Sequence, residues 1–99
     1  MSITIEDVRN IIKKLKIDMS VFKFKEKDLL KGCKVEFEHG TRFKMTNITN
    51  NDYLLTFKIA LAHLYEFPDY YERLENMEKE ADKYWKNKNK FNVEKIDLN

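Results

Sequence analysis

Apolar residues recur at three- and four-residue steps along most of the chain, which is the spacing of one face of an α-helix. The pattern begins after Thr4, which suits an N-cap because Glu6 and Asp7 bring negative charge to the first turn. It predicts a first helix over about residues 4–16. The apolar positions on its inner face are Ile5, Val8, Ile12 and Leu15.

Residues 18–25 are too apolar for a solvated linker and too short for a helix, so they are predicted to form a loop held against the core. A second helix is then predicted from about Glu26 to His39, where Gly40 suits the position just after a helix end. Its apolar stripe consists of Leu29, Cys33 and Phe37. Residues 34–38 also alternate between apolar and charged types, so a short strand there is the open alternative.

Residues 41–51 are rich in Thr and Asn, which is typical of an ordered loop that ends in a helix cap. A third helix is predicted from about residue 53 to Phe67, because Pro68 disfavours helical geometry in the residue before it. Pro68 suits the first turn of a fourth helix. The apolar stripes of these helices are Leu54, Phe57, Leu61 and Leu64 in the third, and Tyr70, Leu74, Met77, Ala81 and Tyr84 in the fourth.

The fold class that follows is all-α, a compact bundle of about four helices, because two Gly and one Pro in 99 residues leave few sites for tight turns. The chain length corresponds to one domain, which we predict over residues 1–90 with a C-terminal tail over residues 91–99.

Charge and composition exclude several classes of protein. Nineteen basic and seventeen acidic residues are interspersed, which argues against a nucleic-acid partner, and the run Lys86, Lys88, Lys90 is typical of a solvated helix end. No apolar stretch is long enough to span a membrane. The single Cys33 and the lack of an export signal at the N-terminus predict an intracellular location.

The best candidate for chemistry is a Glu-x-x-His pair, Glu36 and His39, with a His-x-x-Glu pair, His63 and Glu66. Residues three apart share one helix face, so antiparallel packing of the second and third helices would bring both pairs together. Two imidazoles and two carboxylates suit Zn²⁺, Mn²⁺ or Fe²⁺. If residues 34–38 form a strand instead, Glu36 and His39 point to opposite faces and this metal site is lost.

A buried polar network that holds the helices together is the structural alternative to the metal site. Its members would be Glu36, Glu38, His39, His63, Glu66, Asp69 and Tyr70. No catalytic residue is predicted, because Cys33 lies on an apolar stripe and no phosphate loop, zinc knuckle or catalytic triad signature is present. Aromatic residues on either side of Pro68 are predicted to be core, or else a recognition surface.

Three segments resemble a family of short proteins of unknown function from bacteria, phages and large DNA viruses. They read G-x-x-V-E-F-E-H-G-T at 32–41, T-N-I-T-N-N-D at 46–52 and I-A-L-A-H-L-Y-E-F-P-D-Y-Y at 59–71, and the likeness extends over about residues 29–78. The sequence departs from the family pattern at Asn51, at Tyr53 and at Phe57, where Gly is usual. The resemblance implies that seven residues of these motifs act together, structurally or as a site, but it assigns none of them a catalytic role. They are Glu36, Glu38, His39, His63, Glu66, Asp69 and Tyr70.

Two functions follow as hypotheses. The first is a non-enzymatic helical interaction or structural module, with a protein partner or a homo-oligomer, and the resemblance adds an accessory role in a virion or a phage. The alternative is a metal-binding protein with a site formed by Glu36, His39, His63 and Glu66. Low metal content in the purified protein would exclude the alternative.

Overall fold

Four α-helices make up more than half of residues 2–96, the part of the chain that our computed structural model describes. No β-strand occurs within those residues, so the prediction of an all-α bundle is confirmed and the strand alternative at residues 34–38 is wrong. None of these helices combines the length and apolar character needed to cross a lipid bilayer. The helices are α1 (Ile5–Lys14), α2 (Glu26–Glu36), α3 (Tyr53–Glu66) and α4 (Tyr70–Trp85), with short 3-10 helices at Met19–Val21, Phe37–His39 and Val93–Lys95.

Helix α1 begins at a reciprocal cap. The Thr4 hydroxyl accepts a hydrogen bond from the backbone N–H of Asp7, whose carboxylate accepts one from the backbone N–H of Thr4. The helix ends two residues before the predicted limit, because Lys16 takes a left-handed backbone conformation with φ of 56°. The prediction that Leu15 faces the core is wrong, since this residue is 36% exposed.

Helix α2 ends at Glu36 and not at the predicted His39. The chain tightens there into the 3-10 helix Phe37–His39, and the N–H of Gly40 donates to the carbonyl of Phe37, three residues back. The alternating pattern that suggested a strand therefore belongs to the last turn of an α-helix and a 3-10 turn.

The loop from residue 40 to Asp52 closes back on itself. Asn50 and Asn51 both have positive φ, 51° and 64°, which Asn tolerates better than most residues. The Asn51 side chain accepts a hydrogen bond from the backbone N–H of Thr41 and donates one to its hydroxyl. A Cβ at Gly40 would collide with the Asn51 side-chain oxygen. Asp52 then caps α3 by accepting from the N–H of Leu55 at 2.8 Å.

The core lies where α1, α2 and α3 meet the first turns of α4. Gly32 of α2 permits a close approach there, because an added Cβ would lie 2.5 Å from the Tyr71 ring and 3.0 Å from the Ala60 Cβ. Phe24 is buried, so the predicted anchoring of residues 18–25 to the core is confirmed. The buried apolar residues are Ile3, Val8, Phe24, Leu29, Cys33, Phe57, Ala60, Leu64 and Tyr71.

Helix α4 starts at Tyr70, so Pro68 lies in the preceding turn and not in the first helical turn as predicted. Tyr70 and Leu74 pack on the core. From there on the predicted apolar stripe is uncovered, since Met77 and Tyr84 are 57% and 58% exposed and Ala81 is exposed as well. We call residues 77–96 the arm and residues 2–76 the body.

The overall dimensions reflect this division. The radius of gyration is 15.5 Å and the principal extents are 45 × 32 × 21 Å. A compact chain of this length would have a radius of gyration of about 13 Å. The arm thus projects from the helical bundle. The predicted division at residue 90 between domain and tail stays a prediction, and residues 97–99 of that tail lie outside the described residues.

Candidate functional site

Glu36 is the centre of a polar cluster in the last turn of α2, and it is a nearly fully buried carboxylate with 2% of its surface exposed. One turn earlier, Gly32 leaves room for the ring of Tyr71 from α4. The Tyr71 hydroxyl donates a hydrogen bond of 2.6 Å to Oε2 of Glu36. Burial and this bond to the carboxylate raise the pKa of Tyr71, so the phenol stays protonated and remains a donor.

The basic groups nearest to Glu36 are two imidazoles. His39 Nε2 lies 3.5 Å from Oε1, and His63 Nε2 lies 3.7 Å from Oε2. Within residues 2–96, no Lys or Arg forms an ion pair with Glu36. A buried carboxylate is costly unless hydrogen bonds or a positive group compensate it. Here the Tyr71 hydroxyl supplies one hydrogen bond, and the two imidazoles are the nearest basic groups.

His39 also faces a second carboxylate. Its Nε2 lies 3.5 Å from Oε1 of Glu38, which is 41% exposed. One ligand atom each from Glu36, Glu38 and His39 lie within 4.8 Å of one another. Ligand atoms about 2.1 Å from a tetrahedral metal ion lie about 3.4 Å apart. This is close to the 3.5 Å that separates His39 Nε2 from one oxygen of each carboxylate.

The loop after α2 fixes the backbone of His39. The carbonyl of His39 accepts hydrogen bonds from the N–H groups of Ile48 and Thr49, at 2.7 and 3.1 Å. The buried Thr49 hydroxyl lies 3.4 Å from the same carbonyl and donates to it. Residues of the T-N-I-T-N-N-D segment thus position the imidazole without touching it.

His63 reaches the cluster from α3. Its ring stacks on that of Tyr70, with centroids 4.1 Å apart and planes 9° from parallel, and meets the Tyr71 ring edge to face. Burial, followed by the charges of Glu36 and Glu66, raises the pKa of Tyr70. His63 is therefore held by two aromatic rings and lies near Oε2 of Glu36, whereas His39 lies near Oε1.

The structure brings only some of the predicted site residues together. Glu36, Glu38, His39 and His63 converge, and Tyr70 packs against His63. Glu66 is exposed, and in the described part of the chain it forms no ion pair or hydrogen bond with the cluster.

Asp69 lies outside the cluster. Its Oδ1 accepts a 2.9 Å hydrogen bond from Nε of Arg73, which lowers the pKa of Asp69, and this ion pair lies on the surface of the first turn of α4.

Sequence reasoning did not single out Gly32 and Tyr71 for the site. Tyr71 is the direct hydrogen-bond donor to Glu36, whereas its neighbour Tyr70 was the predicted member of the network. The available signal was the rarity of Gly in this chain, because a Gly inside a helix often marks a close approach by another element.

Cys33 does not contribute a nucleophile. The side chain is fully buried, and burial raises the pKa of its thiol to about 12, so the thiolate form is disfavoured. This agrees with the prediction that Cys33 is an inert apolar residue.

A comparison with protein families matches most of the chain. The model of a family described as "Protein of unknown function (DUF5661)" matches residues 8–80. No curated protein and no solved structure matches the chain.

Proposed function

The chain belongs to the family of proteins of unknown function DUF5661, and from the geometry of its polar cluster we propose that it binds a divalent transition-metal ion through Glu36, Glu38 and His39. The observation that carries the proposal is the position of the His39 imidazole. Its Nε2 lies 3.5 Å from one oxygen of each carboxylate, and the Glu36 carboxylate is buried with no Lys or Arg partner among residues 2–96.

The donor set selects the class of metal. One imidazole nitrogen with two carboxylate oxygens suits Zn²⁺, Mn²⁺ and Fe²⁺ better than Ca²⁺ or Mg²⁺, which prefer oxygen ligands alone. The Tyr71 hydroxyl holds Oε2 of Glu36, which leaves Oε1 to face His39. Such outer hydrogen bonds orient metal ligands and strengthen binding. Because Glu38 and His39 are partly exposed, an ion can reach the cluster from solvent.

Metal titration tests this proposal. We expect about one equivalent of Zn²⁺ or Mn²⁺ to bind in isothermal titration calorimetry, with a rise in Tm, because an ion that binds only the folded state stabilises it by about 2.7 kcal/mol at a concentration 100 times Kd. Elemental analysis of protein purified without chelators gives the native metal. Less than about one tenth of an equivalent, with no change in Tm on adding either ion, would contradict the proposal.

The two histidines of the chain provide a matched pair of variants. His39→Gln is expected to weaken metal binding at least about tenfold, because it removes the only nitrogen of the site. His63→Gln is expected to retain the ligand set, since His63 faces the other oxygen of Glu36. An equal loss of metal affinity in both variants would indicate a shared electrostatic effect of the two imidazoles and not coordination by His39.

A second candidate function is a non-enzymatic helical interaction module. It is favoured by the uncovered stripe of α4, where Met77 and Tyr84 are more than half exposed although the sequence pattern is that of a buried face. An accessory role in a virion or a phage is one setting for such a module.

A photo-crosslinker in place of Tyr84 tests the interaction function. Tyr65 is the matched control, because it is an exposed tyrosine of the body, 76% exposed against 58% for Tyr84. A protein crosslinked from position 84 and not from position 65 supports the interaction function, and the absence of any crosslink from position 84 contradicts it.

A further inference from the structure

The exposed stripe of α4 has the spacing of a helix-pairing seam. Its residues follow one another at steps of three, four and three, as the inner positions of a coiled coil do. They are Leu74, Met77, Ala81 and Tyr84. Leu74 packs on the core, while the other three are exposed. The same face of α4 therefore packs on the body at one end and is exposed to solvent at the other, where Lys88 Nζ lies over the Tyr84 ring, 3.6 Å from its centroid.

Ala81 lies in the middle of the exposed stretch, between the larger side chains of Met77 and Tyr84. A small residue at this position lets two helix backbones approach closely, and the larger residues on either side can then pack across the partner helix. If two copies of α4 cross at Ala81 in antiparallel orientation, Met77 of each copy lies near Tyr84 and Trp85 of the other.

The charges along this segment distinguish the two orientations. Residues 69–78 carry four acidic side chains and one basic one, a net charge of −3, whereas residues 79–90, which continue five residues past the end of α4, carry five lysines and two acidic residues, a net charge of +3. Antiparallel pairing places the acidic part of each copy beside the basic part of the other. Parallel pairing places like charges together, which is unfavourable.

We infer that the uncovered stripe of α4 binds a second copy of this chain, in a two-fold antiparallel dimer that crosses at Ala81. This inference rests on the interaction function proposed above, and it names the partner. A two-fold interface uses the same surface on both subunits, and the segment 69–90 carries opposite net charges at its two ends. One helix pair buries a small area, so the dimer is expected to dissociate in the micromolar range.

Sedimentation velocity of the full chain, from about 1 to about 300 µM, tests the inference. The expected result is a concentration-dependent shift from monomer to dimer. Ala81→Glu is expected to abolish the shift, because it places a charge at the crossing point. Ala62→Glu is the control, since Ala62 is also an exposed alanine within a helix. Circular dichroism checks that both variants keep their helix content.

Charge exchange tests the orientation. Two double variants are compared. One carries Lys86→Glu and Lys88→Glu, and the other carries Glu72→Lys and Glu78→Lys. Each is expected to weaken the homodimer, while a mixture of the two is expected to form a heterodimer. Failure of the mixture to associate would overturn the antiparallel arrangement.

Three outcomes separate this inference from the interaction function. A crosslink from position 84 to a second copy supports both. A monomer at every concentration overturns the inference, and a crosslink from position 84 to another protein then leaves the interaction function standing. A monomer at every concentration that also gives no crosslink from position 84 overturns both.

Discussion

The body and the arm are made of similar residues but use them differently. Both contain aromatic side chains, yet Phe57 of α3 is fully buried, while Tyr84 of α4 is 58% exposed and Phe91, which lies beyond that helix, is 68% exposed. The body also buries a carboxylate, Glu36, and supplies it with a tyrosine hydroxyl. Amphipathic pattern alone therefore does not stabilise a segment, because the stabilisation comes from the surface that covers the apolar face.

The largest expected difference concerns buried aromatic volume. Phe57→Ala should lower the free energy of unfolding by about 3–5 kcal/mol, because it removes a buried ring and leaves a cavity. Phe91→Ala should change it by less than about 0.5 kcal/mol, since little apolar surface is lost from contact. Urea denaturation of both variants measures the two effects, and similar values would mean that the arm is packed in solution.

The next largest difference concerns tyrosine hydroxyls. Tyr71→Phe should lower the free energy of unfolding by about 1–3 kcal/mol, because it leaves one oxygen of the buried Glu36 without its donor. Tyr84→Phe in the arm removes an exposed hydroxyl and should have no measurable effect. If Tyr71→Phe proves neutral in urea denaturation, the bond to Glu36 does not stabilise the fold.

The body should also lose stability at alkaline pH. The thiol of an unfolded chain has a pKa of about 8.5, whereas the pKa of buried Cys33 is raised to about 12. The folded state retains this proton to higher pH than the unfolded state does. The contribution of the thiol to the free energy of unfolding is therefore fully present below about pH 8.5. It falls as the pH rises toward 12, by at most about 1.4 kcal/mol per pH unit.

Urea denaturation between pH 8 and pH 11 checks this slope. Cys33→Ala should make the decrease of the free energy of unfolding with pH less steep, by the contribution of one titrating proton. An unchanged slope in that variant would contradict the conclusion that the thiol causes the pH dependence. The arm contributes no such term, because Cys33 is the only cysteine of the chain.

The smallest difference concerns helix caps. Asp52→Ala should lower the free energy of unfolding by about 1 kcal/mol, because Asp52 caps α3 in the body. Asn92 makes a comparable bond to the N–H of Glu94 in the arm, but Asn92→Ala should not shift the unfolding midpoint. Equal shifts in thermal melts would place the arm within the same cooperative unit as the body.

Sequence periodicity was sufficient to identify the four helices, because three- and four-residue spacing is a local property of each segment. It failed at the end of α2, where the turn from α-helix to 3-10 helix depends on the loop that binds the carbonyl of His39. It also failed for Met77 and Tyr84, since a pattern shows which face is apolar and not whether another element covers it.

The site was predictable only in part. The three-residue spacing of Glu36 and His39 indicated that they share a face, and the structure brings them together. The position of Glu66 away from the cluster depends on how α3 packs against α2, and the entry of Tyr71 beside Gly32 depends on how α4 crosses α2. Such a crossing is a tertiary property that no local spacing encodes.

The contact between Gly40 and Asn51 has a consequence for how sequences of this kind can vary. Any larger residue at position 40 meets the Asn51 side chain, and that side chain also closes the loop onto Thr41. The effect of a substitution at one position therefore depends on which residue occupies the other, and paired changes will not be additive. In a library that varies positions 40 and 51 together, the residue accepted at one position should accordingly depend on the residue present at the other.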